Sequence, residues 1–281
     1  CRKRTGDGTR DGSAQRSRRA DSFSHGAGGI AFVFLELGNY FKNTTFYEVA
    51  KQAIAYENHF YSKKDNNWPD FRQGIFSEKI YIEHKIQYLN NNLSFFQTPT
   101  YMNAWCHGAA GIGLTRLRAT ELLGKQYLPE LKKTLLKVIE TDVVSDKIPS
   151  YTLCHGSCGN AELLLNAGRI KSLKKYIQQA QKIALKAIEQ KKQTGFYISG
   201  FREKEDSSLF LGNAGIGYYY LRLISPESVP SILEFNVNEP CWNIESIKGD
   251  FSLKNINISL LDFNEVLINE LFPRTFYHIS A

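Results

Sequence analysis

Apolar residues fall along this chain in two patterns. Dense runs at Phe32 to Leu37, Leu114 to Leu123, Glu162 to Ala167 and Tyr218 to Ile224 carry few polar interruptions and predict buried helices. Each follows a turn of one layout: His25-Gly26-Ala27-Gly28-Gly29, His107-Gly108-Ala109-Ala110-Gly111, His155-Gly156-Ser157-Cys158-Gly159 and Leu211-Gly212-Asn213-Ala214-Gly215. Glycine holds the second and fifth places every time. At a helix start it admits a neighbouring backbone where a Cβ would collide. The second pattern is longer and amphipathic. Thr44 or Thr45 caps a predicted helix running to about Ser62, and similar stretches cover Tyr127 to Thr141 and Ser172 to Lys192, the last with many lysines on one face. These predict outer helices with solvated charge.

Alternation of the two patterns is an internal repeat. The second-place glycines stand at 26, 108, 156 and 212, and the first interval is nearly double the others, so a degenerate repeat is expected around the loop Lys63 to Gly74. Such helix pairs stack as an open solenoid or close into a ring. In a solenoid the turns lie in a row; in a ring they converge. The chemistry below favours convergence, so the expectation is an all-α protein, an α/α toroid of inner and outer helices over residues 22–235. No reading is made for the tail, 236–281, where the glycine turn is lost and Ile, Asn and Phe dominate.

Charge changes the picture little once it is located. The chain of 281 residues has a formal charge of +7, yet residues 1–21 hold seven basic and three acidic side chains in a Gly- and Ser-rich context without an apolar run. That segment reads as a disordered basic leader rather than a secretion signal. The near-neutral remainder argues against nucleic acid as a partner. No apolar stretch approaches the ~20 residues that span a bilayer. Because residue 1 is Cys rather than Met, the chain reads as an excerpt of a longer one. Five cysteines, an odd number without a signal, point to a reducing, cytoplasmic setting.

Those cysteines carry the candidate chemistry. Zinc takes thiolates and imidazoles in tetrahedral geometry, and catalytic sites use three protein ligands with one position open. Cys106, Cys154 and His155 supply that set. Cys106 and Cys154 stand at equivalent places immediately before their repeats' glycine turns, so the repeat puts both sulfurs on one inner surface. Adjacent Cys154 and His155 can grip one ion only on an irregular turn, which Gly156 makes accessible. Cys158, one turn beyond Cys154, leaves open a closed structural site with four ligands. It also fills a slot taken elsewhere by Gly28, Ala110 and Ala214, where packing explains it. Cys1 and Cys241 fall outside the repeats.

The sequences Phe23-Ser24-His25-Gly26, Trp105-Cys106-His107-Gly108 and Leu153-Cys154-His155-Gly156 resemble the lanthionine synthetase C-like family. The stretch Leu209 to Phe235 is most similar to the end of class II lanthipeptide synthetases, in which the cyclase domain follows a dehydratase domain. The resemblance implies an α/α toroid, here incomplete with its N-terminal repeats missing because the family's functional aspartate of an earlier repeat has no counterpart before His25, and a catalytic Zn2+ on Cys106, Cys154 and His155. It implies addition of cysteine thiols to dehydroalanine or dehydrobutyrine in a precursor peptide, giving thioether rings. His25 matches the family's candidate for handling the proton, although a purely structural turn residue is the other reading. His107 follows a zinc ligand where stand-alone cyclases often have tyrosine; it could orient the thiolate, donate a second proton or serve structurally. Met102 departs from the family, which has arginine there in stand-alone cyclases. The chain has no recognisable dehydratase segment. A non-catalytic, zinc-stabilised peptide-binding module or inactive fragment is the alternative function.

Overall fold

Backbone crowding at the glycine turns organises the fold. The computed structural model describes residues 23–24, 26–70, 83, 86–87, 90, 101–148, 150–199 and 206–234. His25, the leader 1–21, the tail 236–281 and the part of the Lys63 to Gly74 loop beyond Asp70 lie outside the described residues. At each fifth-place glycine (Gly29, Gly111, Gly159, Gly215) a Cβ would run into the carbonyl oxygen six residues upstream, on Phe23, Trp105, Leu153 and Leu209 respectively. The repeated glycine is therefore a repeated contact, in which the approach loop folds flat against the first turn of its helix. Gly108 has an added reason, a φ of +81°.

Four inner helices start at these turns: α1 (Ala27–Phe41), α3 (Ala109–Leu122), α5 (Ser157–Gly168) and α7 (Asn213–Ile224). Three outer helices alternate with them: α2 (Thr44–His59), α4 (Leu128–Val138) and α6 (Lys175–Thr194). The described residues contain no β-strand, so the all-α expectation holds. All twelve residues of α5 are buried, whereas α6 buries one stripe, Tyr176, Ala180, Ile183, Ala184, Ala187 and Ile188, and turns its lysines outward. Packing follows this division: α1, α3 and α5 each lie against the outer helix that follows and against the next inner helix, and α7 packs on α5 and α6.

Boundaries differ from the pattern-based reading in two places. The cap of α2 is Asn43, whose Oδ1 accepts from Thr45 N at 2.9 Å, and the helix ends at His59 rather than near Ser62. After α4 the backbone widens into a π-type segment, Ile139–Val144, so this outer element runs past Thr141.

Buried polar pairs set the register between layers. Arg116 on α3, fully buried, donates to Glu57 at 2.8 Å and Glu130 at 2.7 Å, joining inner helix α3 to outer helices α2 and α4. Arg222 on α7 donates to Glu162 on α5 at 3.1 Å and to the carbonyl of Pro226 at 2.9 Å, which turns the chain after α7 back on itself. The returning segment reaches the approach to α3, where Trp105 Nε1 donates to Leu233 O at 3.0 Å. Phe32 and Glu36 of α1, Leu117 and Arg118 of α3, Asn166 of α5 and Arg222 of α7 all line one cavity of about 460 Å³. Four inner helices around one cavity is a ring-like arrangement; a straight row would keep the first and fourth apart.

Candidate metal centre

The turns that begin the inner helices are linked to one another in sequence. Ser24 Oγ donates to Cys106 O at 3.4 Å, Cys106 N to Cys154 O at 3.5 Å, and Cys154 N to Phe210 O at 2.9 Å. Aromatic rings accompany these links, Phe23 against Trp105 at 5.9 Å and Trp105 against Phe210 at 5.7 Å. Trp105 is thus part of the packing between turns.

This ladder brings Cys106, Cys154 and His155 together. One ligand atom from each lies within 4.8 Å of the others, and Cys154 Sγ is 3.8 Å from His155 Nε2. In a tetrahedral zinc site, bonds of ~2.3 Å to sulfur and ~2.0 to 2.1 Å to nitrogen place donors about 3.5 to 3.8 Å apart. The donor types suit zinc, and the Cys154–His155 pair stands close to that separation. Cys106 is buried, while Cys154 and His155 are half-buried, so the group is reached from the side of the second turn. The irregular turn needed for adjacent ligands is present, since α5 starts only at Ser157.

Cys158 does not belong to this group. It is fully buried in the core among α5, α6 and α7, and burial pushes its thiol well above the ordinary range, first by desolvation and then by Glu162 and Asp142. A thiol held protonated by an apolar setting packs as a small hydrophobe. The closed four-ligand site is not what these residues build.

His107 is fully buried, and its Nδ1 lies 3.8 Å from Asp70 Oδ1. Asp70 comes from the loop after α2, where a degenerate repeat was expected. The same loop supplies Asn67, whose Oδ1 accepts from Ala109 N at 2.8 Å and whose Nδ2 donates to Met102 O at 3.0 Å. It caps α3 in place of a side chain from the turn itself, because the cap position is Gly108. Asp70, Asn67 and, on the opposite side, Asn103 and Asp142 escape sequence reasoning: each acts on a residue 35 or more positions away or belongs to no periodic pattern.

The pattern of the family described as lanthionine synthetase C-like protein matches residues 7–234. The chain belongs to that family. A family of helical toroids agrees with inner helices gathered round a cavity. Among curated proteins, the chain is similar to the lacticin 481/lactococcin biosynthesis protein LcnDR2 of Lactococcus lactis subsp. lactis, at 28% identity over 155 residues. That alignment covers 52% of this chain and 14% of the relative, so the chain spans a small part of that protein's length. No described helix is long and apolar enough to cross a membrane.

Proposed function

We propose that this chain is a zinc-dependent cyclase unit that forms lanthionine or methyllanthionine rings in a lanthipeptide precursor. The observation that carries the reading is the convergence of two thiols and one imidazole, from two turns far apart in sequence, within 4.8 Å of one another. Family membership supports the same chemistry, and the relative's role in lacticin biosynthesis supports a peptide substrate. We place its work in the cytoplasm.

Cys106, Cys154 and His155 would hold the ion, which when bound supplies a thiol pKa low enough for the substrate cysteine to react as thiolate at neutral pH. The remaining work falls to side chains. Addition of sulfur to the β-carbon of the dehydro residue forms the C–S bond and leaves negative charge that is quenched by a proton at the α-carbon. An acid with a pKa near neutrality serves best there. His25 is our candidate for that acid. In sequence it follows Ser24, whose Oγ donates to the Cys106 carbonyl. For His107 we favour orientation of the Cys106 turn over proton donation, on the strength of its full burial and its proximity to Asp70.

The test uses a dehydrated precursor peptide. Cyclisation leaves mass unchanged, so ring formation is read as loss of alkylatable thiols. About one zinc per chain is expected, with both zinc and ring formation lost in Cys106→Ala or Cys154→Ala. Full ring formation by a metal-free chain would overturn the proposal. His25→Ala should retain zinc and lose ring formation.

A further inference from the structure

A buried carboxylate lies between the two ligand-bearing turns without touching either ligand. Asp142, 4% exposed, sits in the π-type segment Ile139–Val144, the kind of local widening often found beside functional sites. Its Oδ1 accepts from Ser157 Oγ at 2.6 Å, and its Oδ2 from Thr141 Oγ1 at 2.7 Å and from Asn103 Nδ2 at 3.3 Å. Asn160 Nδ2 reaches both oxygens, at 3.3 and 3.2 Å, and also donates to the backbone oxygen of Asn103 at 2.9 Å. Asn103 Oδ1 in turn accepts from Ala110 N at 3.2 Å. One end of this network is three residues before Cys106; the other is two residues after His155.

We propose that Asp142 is a positioning residue for the metal centre, fixing the Cys106 turn against the start of α5 so that the three donors stand at ligand spacing before an ion arrives. The inference rests on reading Cys106, Cys154 and His155 as the ligands. A carboxylate at this depth is a costly way to gain stability alone, since an apolar side chain of similar size fills such a space without loss of hydration. Desolvation raises its pKa, and the donors from Ser157, Thr141 and Asn160 oppose that rise. What an apolar residue cannot do is impose directions on four donors drawn from separate segments. Asp142 accepts from its own segment, from the turn before α3 and from α5, and the last two sets of bonds tie the approach to Cys106 to the helix that follows His155. Preset donors bind metal more tightly because less ordering remains to be done on binding.

Zinc affinity of the folded chain, measured by competition with a chromophoric chelator, separates positioning from simple support. Asp142→Asn keeps volume but presents an amide hydrogen to groups that now donate; its zinc dissociation constant should rise about 10-fold, the lower end for outer partners of a metal site. Asn103→Ala should do the same, and the double variant should be little worse than either single one. Tyr219→Phe, which loses a buried bond to Ala180 O of 2.9 Å away from the turns, should lower the melting temperature and leave zinc affinity unchanged. An Asp142→Asn chain that folds and binds zinc as tightly as wild type overturns the inference, as does equal weakening in Tyr219→Phe. Should Asp142→Asn fail to fold, Ser157→Ala removes one donor at small cost in volume; about 3-fold weaker binding supports the role and unchanged binding overturns it. Wild-type protein that binds no zinc would instead remove the metal reading itself.

Discussion

Helices α1 and α5 begin at the same kind of turn and end in opposite environments. Every residue of α5 is buried, flanked by α3 and α7 and covered by α6, whereas α1 buries seven of its fifteen residues. Ile30, Val33, Tyr40 and Phe41 of α1 are 40 to 60% exposed. Beside Ile30 and Val33 an apolar groove of about 730 Å³ opens towards Leu233. The same sequence device therefore gives a saturated helix in the middle of the arc and a half-used one at its edge. Burial is decided by neighbours on both sides, which the turn motif does not encode. The proposed ligands sit in the saturated middle: Cys154 and His155 lead into α5, and Cys106 into α3. Fixed ligand spacing benefits from the region least able to move.

The strongest way to break this comparison is to add one methyl group at equivalent glycines. Gly159→Ala places a Cβ on the Leu153 carbonyl within the packed centre and should cost about 4 kcal/mol or prevent folding, since backbone on both sides is fixed. Gly29→Ala meets the Phe23 carbonyl at the edge, where the half-buried approach can shift, and should cost about half as much by chemical denaturation. Equal losses would show that the edge is as rigid as the centre. Next in size, Leu164→Ala on α5 removes a fully buried side chain and should lose about 2 to 5 kcal/mol. Val33→Ala on α1, 46% exposed, should stay within about 0.5 kcal/mol.

A pH titration sharpens the picture at the far end of the cavity. Burial pushes the Glu234 carboxyl up to about 7, against the Asn166 amide that donates to it at 2.6 Å. The folded chain then holds a proton that the unfolded chain releases near the ordinary carboxylate value. Stability should therefore be greatest below that ordinary value and decline as pH rises towards about 7, with a slope from this group of at most about 1.4 kcal/mol per pH unit. Glu234→Gln should flatten that part of the profile. The smallest effect is expected on the outer layer: Lys182→Ala, exposed on α6, should change stability by less than about 0.5 kcal/mol.

Much of this architecture was legible in the sequence because it rests on local, repeated contacts. The glycine pairs fixed four helix starts, and the equivalent places of Cys106 and Cys154 were enough to bring two sulfurs to one surface. Outer elements were read less accurately, since Asn43 competes with Thr44 and Thr45 as a cap and nothing in Ile139–Val144 announces a widened turn. The polar residues that hold the turns were not legible at all. Asn67 serves Ala109 across 42 residues, and Asn103 meets Asp142 across 39, so neither carries a periodic signature. Their function exists only once the repeats are in contact.

The links between adjacent turns run through main-chain oxygens and amides at Cys106, Cys154 and Phe210. The Cys106 and Cys154 side chains take no part in these particular bonds, whereas the Phe210 ring packs on Trp105. Replacing either sulfur would leave those two main-chain bonds available, so a variant that loses the proposed ion could still keep its neighbouring turns in register.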